Sequence, residues 1–71
     1  MTYDVVTLTP DDREAVLASG VPLEQAHAVA RAHCGLPSDA VGIVEDECTV
    51  YTAAEPDSDT RRFATVTPRR Q

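Results

Sequence analysis

A chain of 71 residues that has only Tyr3, Tyr51 and Phe63 as aromatic side chains, and no Trp, must fill its core with small residues. Most of its other apolar residues are Ala and Val, each of which buries little area at about 25 cal/mol per Å². At this length a single apolar core only just offsets conformational entropy. The chain is therefore read as one domain whose layers approach closely, and which gains stability from a partner or a second copy of itself.

Residues 3 to 9, centred on Val5, Val6, Thr7 and Leu8, have the composition of a strand. Two readings stay open for the next segment. Thr9-Pro10-Asp11-Asp12 can cap a helix running through Ala18, or it can be a turn whose return strand is Glu14 to Ser19. Ala15, Val16, Leu17 and Ala18 are apolar in succession, which leaves no stripe on a helix but suits a short buried strand, so the hairpin is preferred. A helix is expected from Pro22 to Cys34, with Pro22 at its first position, Glu24 in its first turn and a stop at Gly35. Its periodicity puts Leu23, Ala26, His27, Ala30 and Cys34 on one side and Gln25, Ala28 and Ala32 on the other.

Val41 to Glu45 and Cys48 to Ala53 read as strands joined at Asp46-Glu47, with Val41, Ile43 and Val50 expected to face the helix. The predicted class is a two-layer α+β domain, a small antiparallel sheet of hairpins with one main helix, 22–34, on one face. Residues 1–54 form its compact part and 55–61 an acidic loop. Residues 62–71 are a basic edge strand, centred on Arg62 to Thr67, or a tail of the same domain.

Charge is segregated along the chain. All twelve acidic residues lie at or before Asp59, whereas four of six basic ones, Arg61, Arg62, Arg69 and Arg70, lie after it. Residues 1–59 thus carry −10 and residues 60–71 carry +4, giving the net −6. A body of that sign repels nucleic acid, so direct nucleic-acid binding is not expected, while the tail is free to dock on carboxylates. The absence of Lys and Asn reads as the stamp of a GC-rich genome, in a bacterium or a virus infecting one. The N-terminal residues lack the basic start and apolar run of a signal peptide, and no segment has the length of a membrane span. A cytoplasmic location is expected, with Cys34 and Cys48 as free thiols in a reducing compartment.

The groups with chemical potential are few. His27, His33, Cys34 and Cys48 lack the paired spacings of a zinc site. His27 and Cys34, two helical turns apart, are separated by about 10.5 Å, too far for one ion. His27 is better placed as an amphipathic filler at the edge of the core. Cys34 at a helix C-terminus and Cys48 after three acids both have environments that disfavour a thiolate. Glu45, Asp46 and Glu47 are the densest acidic run, without the pattern of a calcium loop. No cofactor, metal or catalytic residue is assigned. The residues singled out for binding a partner are Glu45, Asp46, Glu47, Arg61, Arg62 and Phe63.

The functional expectation is a small acidic, non-enzymatic module that binds a protein partner or its own copy, through a strand edge or an acidic face. The alternative is an inhibitor in which Glu45, Asp46 and Glu47, with Asp11, Asp12 and Asp39, mimic nucleic acid and block a basic host protein.

Overall fold

The computed structural model describes residues 1–9, 11–54 and 61–69. In chain order the elements are β1 (Tyr3–Leu8), β2 (Glu14–Val21), α1 (Leu23–Cys34), β3 (Ile43–Glu45), β4 (Cys48–Ala54) and β5 (Arg61–Pro68). The strands form one antiparallel sheet in the order β2-β1-β5-β4-β3, and α1 packs against β1, β2, β4 and β5 on one face. This is the expected two-layer α+β architecture.

The segment after β1 is a hairpin, not a helix. The Thr9 N–H donates to Arg13 O at 2.8 Å and the Asp12 N–H to Thr9 O at 2.9 Å, with Asp12 in the left-handed region at φ 60. The unbroken apolar run is explained by the register: Val6 pairs with Val16 and Val5 with Ala18, so Leu17 is an extra residue and both Leu17 and Ala18 reach the core. A second irregularity follows before Val21 pairs with Tyr3. Gly20 sits there at φ 64, and Asp4 Oδ1 accepts the Ser19 hydroxyl at 2.9 Å and the Gly20 N–H at 3.0 Å.

Helix α1 starts one residue later than expected, with Pro22 as its N-cap, and ends at Gly35 with φ 67. There the Gly35 N–H donates to Ala32 O at 3.1 Å and the Leu36 N–H to Arg31 O at 2.9 Å, a Schellman-type closure. Of the stripe expected to be buried, Ala26, Ala30 and Cys34 are buried, His27 is half-buried and Leu23 is exposed. The buried three meet Val5, Tyr51, Ala64 and Val66 of the sheet to make the core, in which Tyr51 is the one large side chain.

Two expectations are corrected. Arg61–Pro68 is the middle strand, between β1 and β4, and not an edge. Its arginines cluster at the ends, and alternating composition does not say whether a strand has one neighbour or two. Secondly, Val41, Ile43 and Val50 do not face the helix. Ile43 pairs with Val50 on the opposite sheet face and is 63% exposed, while Val41 is 91% exposed. Side chains alternate along a strand, so burying Tyr51 on the helix side turns Val50 away. The two-residue turn at Asp46 (φ 49) and Glu47 (φ 70) then carries Ile43 with it. Of the expected acidic loop at 55–61, all but Arg61 lies outside the described residues.

Candidate functional site

The helix covers one sheet face, and among the described residues nothing covers the other. Register places the side chains of that open face in rows. Its middle row crosses all five strands as Val16, Val6, Thr65, Val50 and Ile43. Toward the β1–β2 loop the next row is Glu14, Leu8, Phe63 and Thr52, and toward the β3–β4 turn it is Asp4, Thr67, Cys48 and Glu45. Leu8 is 53%, Val16 66% and Phe63 39% exposed, so water touches large apolar groups across the sheet. A depression of about 460 Å³ lies over Val6, Leu8 and Phe63, with the carboxylates of Asp4 and Glu14 at its margins. The Thr52 hydroxyl is shut off from solvent and has no hydrogen-bond partner.

Charge stands at the rim of this face. Hydrogen bonds from the Gly20 N–H and the Ser19 hydroxyl hold the Asp4 carboxyl below the usual carboxylate range, with a smaller contribution from Arg69. Arg69 is tied in by its N–H, which donates to Thr2 O at 2.8 Å. Arg69 thus lies within electrostatic reach of an acid of the body, as the charge pattern allows.

The helix side holds a different set of groups. The Thr7 hydroxyl donates to Phe63 O, so the contact at 3.1 Å with His33 Nε2 requires His33 to donate its N–H. His27 Nδ1 meets the Tyr51 hydroxyl, and the rings cross edge to face at 83°. The Arg31 guanidinium lies 5.5 Å from the Tyr51 ring centroid, and its Nε donates to Ala40 O at 3.0 Å. Burial and, to a lesser extent, Arg31 lower the His27 pKa, which keeps the imidazole neutral at pH 7 and its Nδ1 able to accept a hydrogen bond from the Tyr51 hydroxyl. Burial pushes the Cys34 thiol up, against a smaller opposing pull from Arg62. That thiol contacts Tyr51 O at 3.6 Å, as a protonated group beneath the sheet. These contacts tie the helix and the 36–42 connection to the sheet.

The four candidate metal ligands are dispersed. His27 and His33 are taken up by Tyr51 and Thr7, and Cys34 and Cys48 lie on opposite faces of the sheet as free thiols. Among the described residues no three His, Cys, Asp or Glu side chains cluster as a metal site.

The residues singled out for partner binding fall into two places. Glu45, Asp46 and Glu47 are exposed at the β3–β4 turn, level with Thr67 of β5. Arg61, Arg62 and Phe63 begin β5, about 14 to 20 Å away along the strand. Phe63 belongs to the open face, whereas Arg62 turns to the helix side, where its Nη1 donates to His33 O at 3.3 Å at the helix C-terminus. Asp11 and Asp12 are exposed beyond the opposite ends of the strands from Glu45, so the acids do not form a continuous row.

Sequence reasoning found Phe63, Glu45 and Arg61 but missed the other apolar residues of the open face, Val6, Leu8, Val16, Val50 and Ile43. The signal was present in β1, where Val5 and Val6, adjacent and therefore on opposite faces, are both apolar. The His27 and Tyr51 pairing spans 24 positions and left no local trace. Among the described residues no helix is long and apolar enough to cross a membrane. No protein-family model, no curated protein and no solved structure matches the chain.

Proposed function

We propose that this protein is a non-enzymatic protein-binding module that engages its partner through the open face of the sheet. One observation carries the reading: Leu8, Val16, Ile43 and Phe63 are 39 to 66% exposed on a single continuous face of a chain that has few large apolar residues. A chain short of such groups loses stability by leaving them in water, and an apolar face rimmed by Asp4, Glu14, Glu45 and Arg61 has the anatomy of an interface, dry at its centre and charged at its margin. In this reading Glu45 stands at the rim of the interface and Phe63 is one of its apolar contacts.

Photocrosslinking tests this directly. A photoreactive benzoylphenylalanine in place of Val16 is expected to give protein crosslinks in the native host. The same group in place of Ala28, on the exposed side of α1, is expected to give none. Equal yields from both positions, or none from either, refute the assignment of the face.

A further inference from the structure

We infer that the occupant of the open face is a second copy of this chain, stacked sheet to sheet so that two α1 helices form the outer layers of a four-layer sandwich. The inference rests on the proposed binding role of that face and names its partner.

Area is the first support. The thirteen side-chain positions of the open face, spaced about 4.8 Å between strands and about 6.8 Å along them, give a flat footprint of about 420 Å² per copy. Two copies therefore bury about 850 Å² before the relief of the side chains is counted, and that relief brings the total to about the 1,000 Å² a specific interface must clear.

Shape and composition agree. The molecule is a slab of 39 × 28 × 19 Å, two layers thick, and doubling the thin dimension makes it globular. The face has no charge in its middle row, and its apolar groups flank the central strand on both sides, Val6 and Val16 on one and Val50 and Ile43 on the other. A patch with that layout meets its own copy apolar on apolar across a two-fold axis. Twisted sheets stack in this way about 10 Å apart with strands about 30° from parallel. Finally, among the described residues the core within one copy contains seven buried apolar residues, four of them Ala or Cys, so a second layer adds much of the burial that a single copy lacks.

The central residue of the patch is Thr65, in the middle strand and the middle row. Any two-fold axis that lies in the interface and passes through the centre of the patch brings Thr65 beside its own copy.

The experiment is sedimentation equilibrium of the full chain from 1 to 200 µM, for the native protein and for the double variant Val16→Glu, Ile43→Glu. Both positions are more than 60% exposed in a single copy, so the variant keeps its fold. Circular dichroism checks that it does. The expected result is a native mass twice 7.6 kDa and a monomeric variant, its dimer weakened at least about 100-fold by carboxylates buried at the interface. In a second arm, Thr65→Cys in a Cys48→Ser background is expected to give a covalent dimer with a short bis-maleimide crosslinker, whose span matches backbones about 10 Å apart, a gap wider than a disulfide bridges.

A native dimer that survives the double variant, or in which Cys at position 65 does not crosslink, overturns the inference by placing self-association elsewhere, such as the β2 edge. A native protein that stays monomeric at 200 µM overturns it as well. In that case an apolar fluorescent dye that binds the native protein and not the double variant leaves the proposed binding face standing, and failure of the dye to bind removes both.

Discussion

Tyr51 is the one large side chain buried in the core, and its removal tests how thin that core is. It is 2% exposed, packs among Ala26, Ala30, Cys34 and Ala64, bonds His27 through its hydroxyl and supports the Arg31 guanidinium on its ring. Truncating a buried aromatic ring to Ala costs about 3–5 kcal/mol. Losing the hydroxyl contact adds about 1 kcal/mol and losing the cation–π contact about 0.5–1 kcal/mol. The total, about 5–7 kcal/mol, is set against a folding free energy of about 4–11 kcal/mol for a chain of 71 residues. With a core of small side chains this protein belongs in the lower half of that range, so Tyr51→Ala is expected to be unfolded at 25 °C. Tyr51→Phe keeps the ring and loses only the hydroxyl contact. With a urea m-value of about 1 kcal/mol/M for a protein this small, its midpoint is expected to fall by about 1 M. Urea titrations followed by far-ultraviolet circular dichroism, at one protein concentration so that self-association does not confound them, read both values. A Tyr51→Ala protein that unfolds cooperatively within about 1 M of the native midpoint refutes the reasoning, because the core would then not depend on its single large member.

Three further outcomes follow from particular contacts. The folded state holds His27 neutral with a pKa below its unfolded value of 6.5, so the unfolded chain binds the extra proton first: stability contributed by this site is complete above that value and declines as pH falls through it. Thermal melts from pH 7.5 to 5.5 should show this decline, and His27→Gln should flatten it. Replacing Thr52 by Val removes a buried hydroxyl that has no partner, and is expected to raise stability by about 1 kcal/mol, seen as a melting temperature about 4–8 °C higher. A Cβ at Gly42 would come within 2.6 Å of Thr49 Cγ2 and 2.9 Å of Val50 O, so Gly42→Ala is expected to cost about 1–3 kcal/mol in chemical denaturation, and an unchanged midpoint would show that the 36–42 connection yields freely.

Local chemistry wrote several elements of this protein plainly. Gly35 ends α1 because a left-handed residue closes the last turn, and Ala26, Ala30 and Cys34 repeat at the helical period that buries one stripe. Asp46-Glu47 joins two strands by the shortest hairpin connection. The run from Ala15 to Ala18 was a weaker signal. It favoured a strand, but the reason it is tolerated, a bulge that turns Leu17 and Ala18 together toward the helix, depends on the register with β1.

Read alone, the amino-acid sequence determined the existence of the helix and of the hairpin at Asp46-Glu47, the two-layer class and the scarcity of large core residues, because each is a matter of composition or of spacing within a few residues, and it left the segment after β1 open between strand and helix. Tertiary structure alone decided that Arg61–Pro68 lies between β1 and β4, that Tyr51 and not Val50 points at the helix, and that Val6, Val16, Ile43 and Phe63 share one uncovered face. The physical reason is that strand order and facing are set by which distant segments compete for a limited buried volume. In this chain the only ring placed fully in that volume belongs to Tyr51, and the rest of the sheet takes its orientation from it.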